Sequence, residues 1–179
     1  MSNSEALLLL QDIRATTLAN AAPLPTEQTS NMEWQGLGFQ VGGVRVVCAM
    51  SEVAEVMNVP RATPLPVVKD WILGIANVRG RLIPIIDLHR FLNLHPTQPR
   101  SEWRVIVVED EDLVAGFVIE QSLGIQHFPN ECYSETIEGD DLDALRPYVT
   151  GEYRHGGRVF YEFRLSRILR AEAFFEVSA

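Results

Sequence analysis

The sequence predicts a mostly β protein made of two related lobes, each a small barrel of short strands. From Trp34 onward, short apolar runs alternate with turn residues at hairpin spacing, which favours small antiparallel barrels over a parallel α/β sheet. The segments 80–92 and 157–169 also resemble each other, with five identities in thirteen positions. This repeated unit, a strand followed by a helix, indicates two lobes of related structure.

Four hairpins account for most of the predicted strands. Glycines at the turns supply the positive φ that tight hairpins require. The predicted hairpins cover Leu37 to Ala49 about Gly42-Gly43, Ile75 to Ile86 about Arg79-Gly80, Arg104 to Ile119 about the acidic run Glu109 to Asp112, and Tyr153 to Phe163 about Gly156-Gly157. Pro84 cannot donate to a β-ladder, so its strand is predicted to lie at a sheet edge or to bend.

Helical signals are fewer, and each depends on a residue that can cap a helix N-terminus. The candidate caps are Ser51 one turn before the run Val53 to Val59, Asp87 before a short helix through Leu92, and Ser166 before a helix toward Phe175. The last of these predicts a short C-terminal helix. The remaining connections are predicted to be loops.

Residues 1–30 are predicted to be separate from the main domain, which spans 31–179. A helix over 4–20, capped by Ser4, is predicted from apolar residues at helical spacing, and a linker over 21–30 from the absence of periodicity. The helix either packs its leucines on the main body or serves as a partner helix. The sequence leaves both interpretations open.

Charge restricts the class of partner. The 179 residues carry 15 Lys and Arg against 24 Asp and Glu, a net charge of −9. Binding to nucleic acid, or to an anionic membrane surface, requires clustered basic side chains, and here they are scattered. We therefore expect no nucleic acid partner and no direct membrane insertion, which leaves basic or apolar protein surfaces.

The compartment is predicted from three features. The apolar run from Leu7 to Leu10 is too short for a signal peptide and has no basic residues before it. No stretch approaches the roughly 18 apolar residues of a membrane span. Two isolated cysteines, Cys48 and Cys132, suit a reducing environment. The sequence therefore predicts a cytoplasmic protein.

Residues that would carry catalysis do not occur in recognisable patterns. The sequence has no glycine-rich phosphate loop and no nucleophile elbow. The four histidines do not have metal-ligand spacing. The run Glu109 to Asp112 shares only its charge with a calcium loop and is predicted to be a solvated turn. Cys48 lies in an apolar run and is predicted to pack in the core. No enzymatic activity, cofactor or metal is expected.

The most informative segment runs from Gly74 to Leu88. It contains the pattern G-x-x-N-x-R-G-x-x-x-P-x-x-D-L, with Gly74, Asn77, Arg79, Gly80, Pro84, Asp87 and Leu88 at the fixed positions. This segment resembles the signature of the CheW family of chemotaxis coupling proteins. The resemblance covers roughly residues 34–170. The N-terminal helix and linker, with 36–39 and 125–129, most resemble the twitching-motility (type IV pilus) branch of that family.

The resemblance implies a fold, a function and a set of contacts. It implies two SH3-like five-stranded β-barrel subdomains packed together, with an N-terminal helix and a short C-terminal helix. It implies an adaptor that couples the cytoplasmic tip of a chemoreceptor to the regulatory domain of a CheA-type histidine kinase, recruited to membrane-associated receptor arrays. The residues that it places at or near partner surfaces are Val53, Glu55, Gly74, Asn77, Arg79 and Gly80.

These six residues are not expected to act alike. Arg79 is the principal partner-binding candidate, because a guanidinium in a turn is well suited to binding another protein. Asn77 and Gly80 are expected mainly to shape the turn. Val53 and Gly74 could equally be structural, as core packing and as a close backbone approach.

Two other classes of function stay open at this point. A coupling protein fused to a phosphorylatable receiver domain would need roughly 120 further residues. A small β-barrel enzyme or ligand-binding protein would need a deep pocket with titratable groups. Two departures from the family pattern, Glu120 in place of the usual Asp and the segment 161–164, leave the contacts of the C-terminal lobe uncertain.

Overall fold

The computed structural model describes residues 33–139, 142–176 and 178, which form two mixed β-sheets and three short helices. The strands are β1 Glu33–Val41, β2 Val44–Ala49, β3 Val53–Asn58, β4 Ile72–Val78, β5 Arg81–Asp87, β6 Arg104–Asp110, β7 Leu113–Ile119, β8 Gln121–Pro129, β9 Tyr133–Ser134, β10 Val149–His155 and β11 Arg158–Phe163. The helices are α1 Leu88–Phe91, α2 Leu165–Leu169 and α3 Glu172–Phe175. The helix predicted over 4–20 and the linker over 21–30 lie outside the described residues.

Each sheet defines one lobe. Lobe 1 contains the sheet β8-β1-β2-β11-β10-β9 and α2, and lobe 2 contains the sheet β3-β6-β7-β5-β4 and α1. Most neighbouring strands are antiparallel, as the hairpin spacing predicted. Lobe 2 has the expected five strands, and lobe 1 adds the two-residue β9 at one edge. The mostly β, two-lobed fold is confirmed.

The repeated sequence unit occupies equivalent places in the two lobes. In lobe 2, β5 pairs in parallel with β7, and α1 follows at once. In lobe 1, β11 pairs in parallel with β2, and α2 follows after Arg164. Both copies of the repeat therefore build the parallel ladder of their sheet and the helix that leaves it, which confirms the interpretation of the repeat as two related lobes.

Buried apolar side chains form three clusters among the described residues. One lies inside lobe 1 around Phe128, Tyr153 and Phe160, and another lies inside lobe 2 around Ile85 and Val105. The largest cluster contains side chains from both sheets and all three helices or their flanks, including Phe39 and Phe117. The two sheets thus share one core and each encloses a smaller one.

The central strands send alternate side chains into two cores. In β6, Val105 and Val107 belong to the cluster inside lobe 2, whereas Ile106 and Val108 belong to the shared cluster. A strand that is buried on both faces cannot carry the polar residues of a solvent face. This explains why β6 and β7 appear in the sequence as nearly continuous apolar runs.

Tight turns close the hairpins where the sequence predicted them. Gly42-Gly43, Arg79-Gly80 and Gly156-Gly157 all have positive φ at both positions, between +51° and +85°. Two successive left-handed residues are the backbone of a type I′ turn, whose twist matches that of paired strands. The positive φ of Arg79 is notable because it is not a glycine.

Two local predictions are wrong, and so is one of the two alternatives predicted for a third, each for a tertiary reason. Ser51 makes no cap, and Met50–Glu52 is a single 3₁₀ turn before a strand rather than a helix. The strand of Pro84 lies between β4 and β7 instead of at an edge, but its parallel pairing with β7 begins only at Ile85. Ser166 is not the cap of α2, because the carboxylate of Glu52 accepts the N–H of Leu165.

The predicted cap at Asp87 is confirmed. Its carboxylate accepts the backbone N–H groups of His89 and Arg90, at 3.1 and 3.3 Å. Burial opposes ionisation of this carboxyl, but the hydrogen bonds from His89 and Arg90 and the nearby positive charge outweigh it. The pKa of Asp87 is consequently below its ordinary value.

Asp87→Asn should make the protein less sensitive to acid. A carboxyl whose pKa is lowered by folding stabilises the fold above its unfolded pKa of about 3.9, and that contribution is lost as the pH falls through the folded pKa. Asparagine keeps the capping oxygen but does not titrate, so the acid slope of the free energy of unfolding should decrease. Urea unfolding between pH 7 and about pH 2 measures this slope, since the ordinary pKa lies within that range.

The matched control is Asp112→Asn, at an exposed position in the β6–β7 turn, which should leave the slope unchanged. Asp87→Ala should in addition cost about 1 kcal/mol at neutral pH through loss of the cap. An unchanged acid slope in Asp87→Asn would contradict this assignment of the charge.

Candidate functional site

Arg79 and Glu55 form an ion pair at one end of lobe 2. The Nε and Nη2 atoms of Arg79 each lie 2.9 Å from a different carboxylate oxygen of Glu55. Arg79 is in the β4–β5 turn and Glu55 is in β3. The Arg79 side chain is 78% exposed and that of Glu55 is 23% exposed. Glu55 therefore holds an exposed guanidinium by two contacts, on a side chain whose position is fixed by a turn.

This ion pair shows that the sheet of lobe 2 is curled. Strands β3 and β4 are at opposite edges of the five-stranded order. In a flat sheet, four strand spacings of about 4.8 Å would separate the edges by about 19 Å. The contact at 2.9 Å between β3 and the turn at the end of β4 requires the two edges to approach each other. The ion pair thus joins the two edges of the sheet, as the barrel shape expected from the sequence requires.

A shallow groove of about 210 Å³ lies beside the ion pair. Its apolar lining is contributed by Ala54, Val78, Ile83, Val107 and Val114. A second ion pair borders it, in which Arg81 Nη1 and Glu109 Oε1 are 3.0 Å apart. An apolar floor with a charged rim is the usual composition of a protein-binding surface. We call this groove and its two ion pairs the docking corner.

Asn77 and Gly80 give the corner its shape. The side-chain oxygen of Asn77 accepts the backbone N–H of Gly80 at 2.8 Å, across the turn. Gly80 has a φ of +85°, and no atom lies within 4 Å of the place where its Cβ would be. Both residues hold Arg79 in its left-handed conformation, and both are exposed. Whether they also contact a partner stays a prediction.

Gly74 and Val53 lie apart from the exposed part of the corner. Gly74 is buried, has a φ of +133°, and packs so closely against the loop before β4 that a Cβ would collide with the carbonyl oxygen of Thr63. Val53, at the start of β3, is half-buried and packs against the shared core. Gly74 thus makes the close backbone approach, and Val53 the core packing, that the sequence offered as their structural alternatives. A partner contact at either one stays a prediction.

The sequence did not single out Arg81 and Glu109. Glu109 was predicted to lie in a solvated turn, but Glu109 and Asp110 belong to β6 and make ion pairs. Hydrogen bonds from Arg170 lower the pKa of Asp110. The opposite charges of Arg81 and Glu109 could have predicted their ion pair. That prediction would have required the order of the strands in the sheet, which is not evident from the sequence.

The described part of the chain lacks two features that are typical of other functions. No group of three or more His, Cys, Asp and Glu side chains there could hold a metal ion. No helix in the same residues is long and apolar enough to cross a membrane. Cys48 is buried as predicted, and burial raises the pKa of its thiol to about 12.

Comparison with known proteins identifies the family. The profile of the CheW-like domain matches residues 35–173, which is most of the chain. The chain belongs to the CheW-like domain family. The resemblance carried by the pattern from Gly74 to Leu88 is therefore confirmed, and the domain has the scaffold typical of adaptor proteins.

Individual relatives agree with this assignment. The chain is 39% identical over 170 residues to the protein PilI of Pseudomonas aeruginosa, covering 95% of this chain and 94% of PilI. It is 29% identical over 119 residues to the chemotaxis protein CheW of Bacillus subtilis, covering 65% and 76% of the two chains. The likeness to PilI confirms the expected placement within the family.

A solved structure agrees with the fold. The scaffolding protein TtCheW of Thermoanaerobacter tengcongensis has a TM-score of 0.69 to this chain at 21% identity, covering 81% of this chain and 97% of that protein. At this low identity the likeness concerns the arrangement of strands.

Gly74→Ala should destabilise the fold much more than Gly80→Ala. At Gly74 the new Cβ meets backbone atoms of Thr63 and Pro64, which cannot move aside as a flexible side chain could. We expect a loss of about 2 kcal/mol or more at Gly74 and about 1 kcal/mol at Gly80, where only the backbone conformation is unfavourable. Chemical denaturation of the two variants measures the difference, and equal losses would contradict the close approach described at Gly74.

Proposed function

We propose that this protein is a signal-transduction adaptor that couples methyl-accepting chemoreceptors to a CheA-type histidine kinase. Its work is binding, and no chemical step is assigned to its own residues. The observation that carries this proposal is the docking corner. It presents an exposed arginine, held by a bidentate ion pair, beside an apolar groove and on a turn whose backbone is fixed. Membership of the CheW-like domain family supports the same conclusion.

The receptor's cytoplasmic tip is the proposed partner of the docking corner. The Arg79 side chain is 78% exposed although that of Glu55 is only 23% exposed, and ion pairs open to solvent contribute only about 0–1 kcal/mol to stability. Arg79 can therefore replace part of its contact with Glu55 by a contact with a partner at a small cost in free energy. The apolar floor can bury a partner's aliphatic or aromatic side chain, while the charged rim selects its orientation.

The kinase regulatory domain is proposed to bind elsewhere on the same scaffold. An adaptor must hold both partners at once, so their surfaces cannot coincide. The full-length likeness to PilI supports a pathway that controls twitching by type IV pili. In this proposal the protein is cytoplasmic and reaches membrane-associated receptor arrays through its partners. Val53, Glu55, Gly74, Asn77 and Gly80 act at or around the contact made by Arg79.

Arg79→Ala should weaken binding to the receptor tip without unfolding the protein. Loss of a central arginine from an interface typically costs more than about 1 kcal/mol, or at least a fivefold to tenfold rise in Kd. Because the side chain is exposed, the free energy of unfolding should change by no more than about 0.5 kcal/mol. Calorimetric titration with the isolated receptor tip and thermal unfolding measure the two quantities. Binding to the isolated kinase regulatory domain should persist.

The matched control is Arg158→Ala, an exposed arginine in the corresponding hairpin of lobe 1, which should leave receptor binding unchanged. The double reversal Arg79→Glu with Glu55→Arg retains an internal ion pair but moves the guanidinium, and it should not restore binding. Full binding by the reversal would mean that Arg79 acts only through Glu55. Failure of the wild-type chain to bind either cognate partner would refute the adaptor itself.

A further inference from the structure

The chain passes between the lobes at two points within residues 33–139. It leaves lobe 1 after β2 and enters lobe 2 at β3, through the 3₁₀ turn Met50–Glu52. It returns to lobe 1 between β7 and β8, at Glu120. Each crossing thus contains a glutamate. We call Glu52 and Glu120 the crossing glutamates.

Glu120 contacts both lobes. Its side chain is fully buried, and its backbone N–H donates to the carbonyl oxygen of Gln40 in β1 at 3.0 Å. Its carboxylate accepts the N–H and the hydroxyl of Thr97 at 3.1 and 2.7 Å. His89 Nε2 lies 3.4 Å from the same carboxylate. Gln40 belongs to lobe 1, whereas Thr97 and His89 belong to lobe 2, so Glu120 joins the two.

Glu52 makes a corresponding connection at the other crossing. Its carboxylate accepts the backbone N–H of Leu165 at 2.9 Å and the hydroxyl of Ser166 at 3.0 Å. Arg164 lies 3.6 Å away, and its guanidinium also contacts the buried carboxylate of Glu162 inside lobe 1. The residue immediately before β3 of lobe 2 is thereby attached to the start of helix α2 of lobe 1.

The two connections are related by the sequence repeat. Aligning segments 80–92 and 157–169 places His89 opposite Ser166, and these are the side chains that the crossing glutamates contact. The parallel ladders place the two glutamates at similar but not identical distances along the chain. Glu120 follows Gly116, which pairs with Ile85, by four positions, and Glu52 follows Val47, which pairs with Glu162, by five. The same contact, made with different chemistry, therefore occurs once at each crossing.

Carboxylates with little exposure to solvent make such contacts sensitive to orientation: the Glu120 side chain is fully buried and that of Glu52 is 12% exposed. An ionised carboxylate removed from water is strongly unfavourable unless hydrogen bonds and charges compensate it. The partners of Glu52 and Glu120 lie on elements that would separate if one lobe turned against the other. Apolar contacts in the shared core are less directional, since they depend mainly on area.

We infer that Glu52 and Glu120 are positioning residues that hold the two lobes at one fixed relative orientation. The shared apolar core supplies most of the attraction between the lobes, and the crossing glutamates select one arrangement from those that the core would allow. Glu52 lies three residues before Glu55, so this arrangement also fixes the docking corner relative to lobe 1.

The distance between the lobes tests this inference in the isolated protein. Nitroxide labels are attached at Leu82→Cys in lobe 2 and Ile125→Cys in lobe 1, which are 73% and 55% exposed. Cys132 is replaced by serine, and Cys48 remains because its thiol is buried. Double electron–electron resonance should give one narrow distance distribution for the parent protein. Glu52→Ala and Glu120→Ala should each lose this narrow distribution and give a broad one, while far-UV circular dichroism retains the β signal.

Glu138→Ala is the matched control, because Glu138 is also a glutamate in an ion pair, with Arg154, but within lobe 1 alone. It should keep the narrow distribution. If the alanine variants do not fold, Glu52→Gln and Glu120→Gln, which keep the volume and one acceptor oxygen, should still broaden it. Lower thermal stability with an unchanged narrow distribution would overturn the inference, and so would unfolding of all four variants.

No partner is present in this experiment, so its result is independent of the proposed adaptor function. A chain that binds neither receptor nor kinase could still show the broadening, and a chain that binds both could fail to show it. The two conclusions can therefore be rejected separately.

Discussion

The shared apolar core between the two sheets is the constraint on which the rest of the structure depends. Strands such as β6 and β7 bury both faces, one in the shared core and one inside lobe 2. Charged side chains have few stable positions in such strands. The ion pairs at the end of lobe 2 and the glutamates between the lobes instead lie at hairpin ends and at the crossings, where solvent or a partner group can compensate their charge. The docking corner and the crossing glutamates occupy these two kinds of place.

The turn at Arg79-Gly80 illustrates how a rigid sheet holds an exposed side chain in the way that the proposed binding function requires. A type I′ turn has little conformational freedom, and the side chain of Asn77 restricts it further through Gly80. Glu55 then restricts the guanidinium itself. A partner that binds here meets a side chain already placed, so less conformational entropy is lost on binding. The guanidinium of this ion pair is 78% exposed, so it remains accessible to a partner.

Local sequence was sufficient to predict the hairpins and the cap at Asp87, because the residues that determine them are neighbours in the chain. It failed where the partner is distant. The first turn of α2 is stabilised by Glu52, more than a hundred residues earlier, so Ser166 was wrongly taken as its cap. Asp110 was taken as solvated because Arg170 is equally invisible to local patterns. The site was predicted at Arg79 by family resemblance, but its pairing with Glu55 required the curled sheet.

The repeat explains why, among the described residues, lobe 2 has the proposed docking corner and lobe 1 has no equivalent of its Arg79. Aligning the repeats beyond their identical residues places Arg79 opposite Gly156 and Asn77 opposite Arg154. The turn of lobe 1 thus has the same backbone conformation but no side chain at the position of the guanidinium. The two related lobes therefore present different surfaces at their hairpin turns. An adaptor that distinguishes two partners requires surfaces that differ in this way. If the crossing glutamates fix the angle between the lobes as we infer, the difference between the two surfaces would define where one partner lies relative to the other.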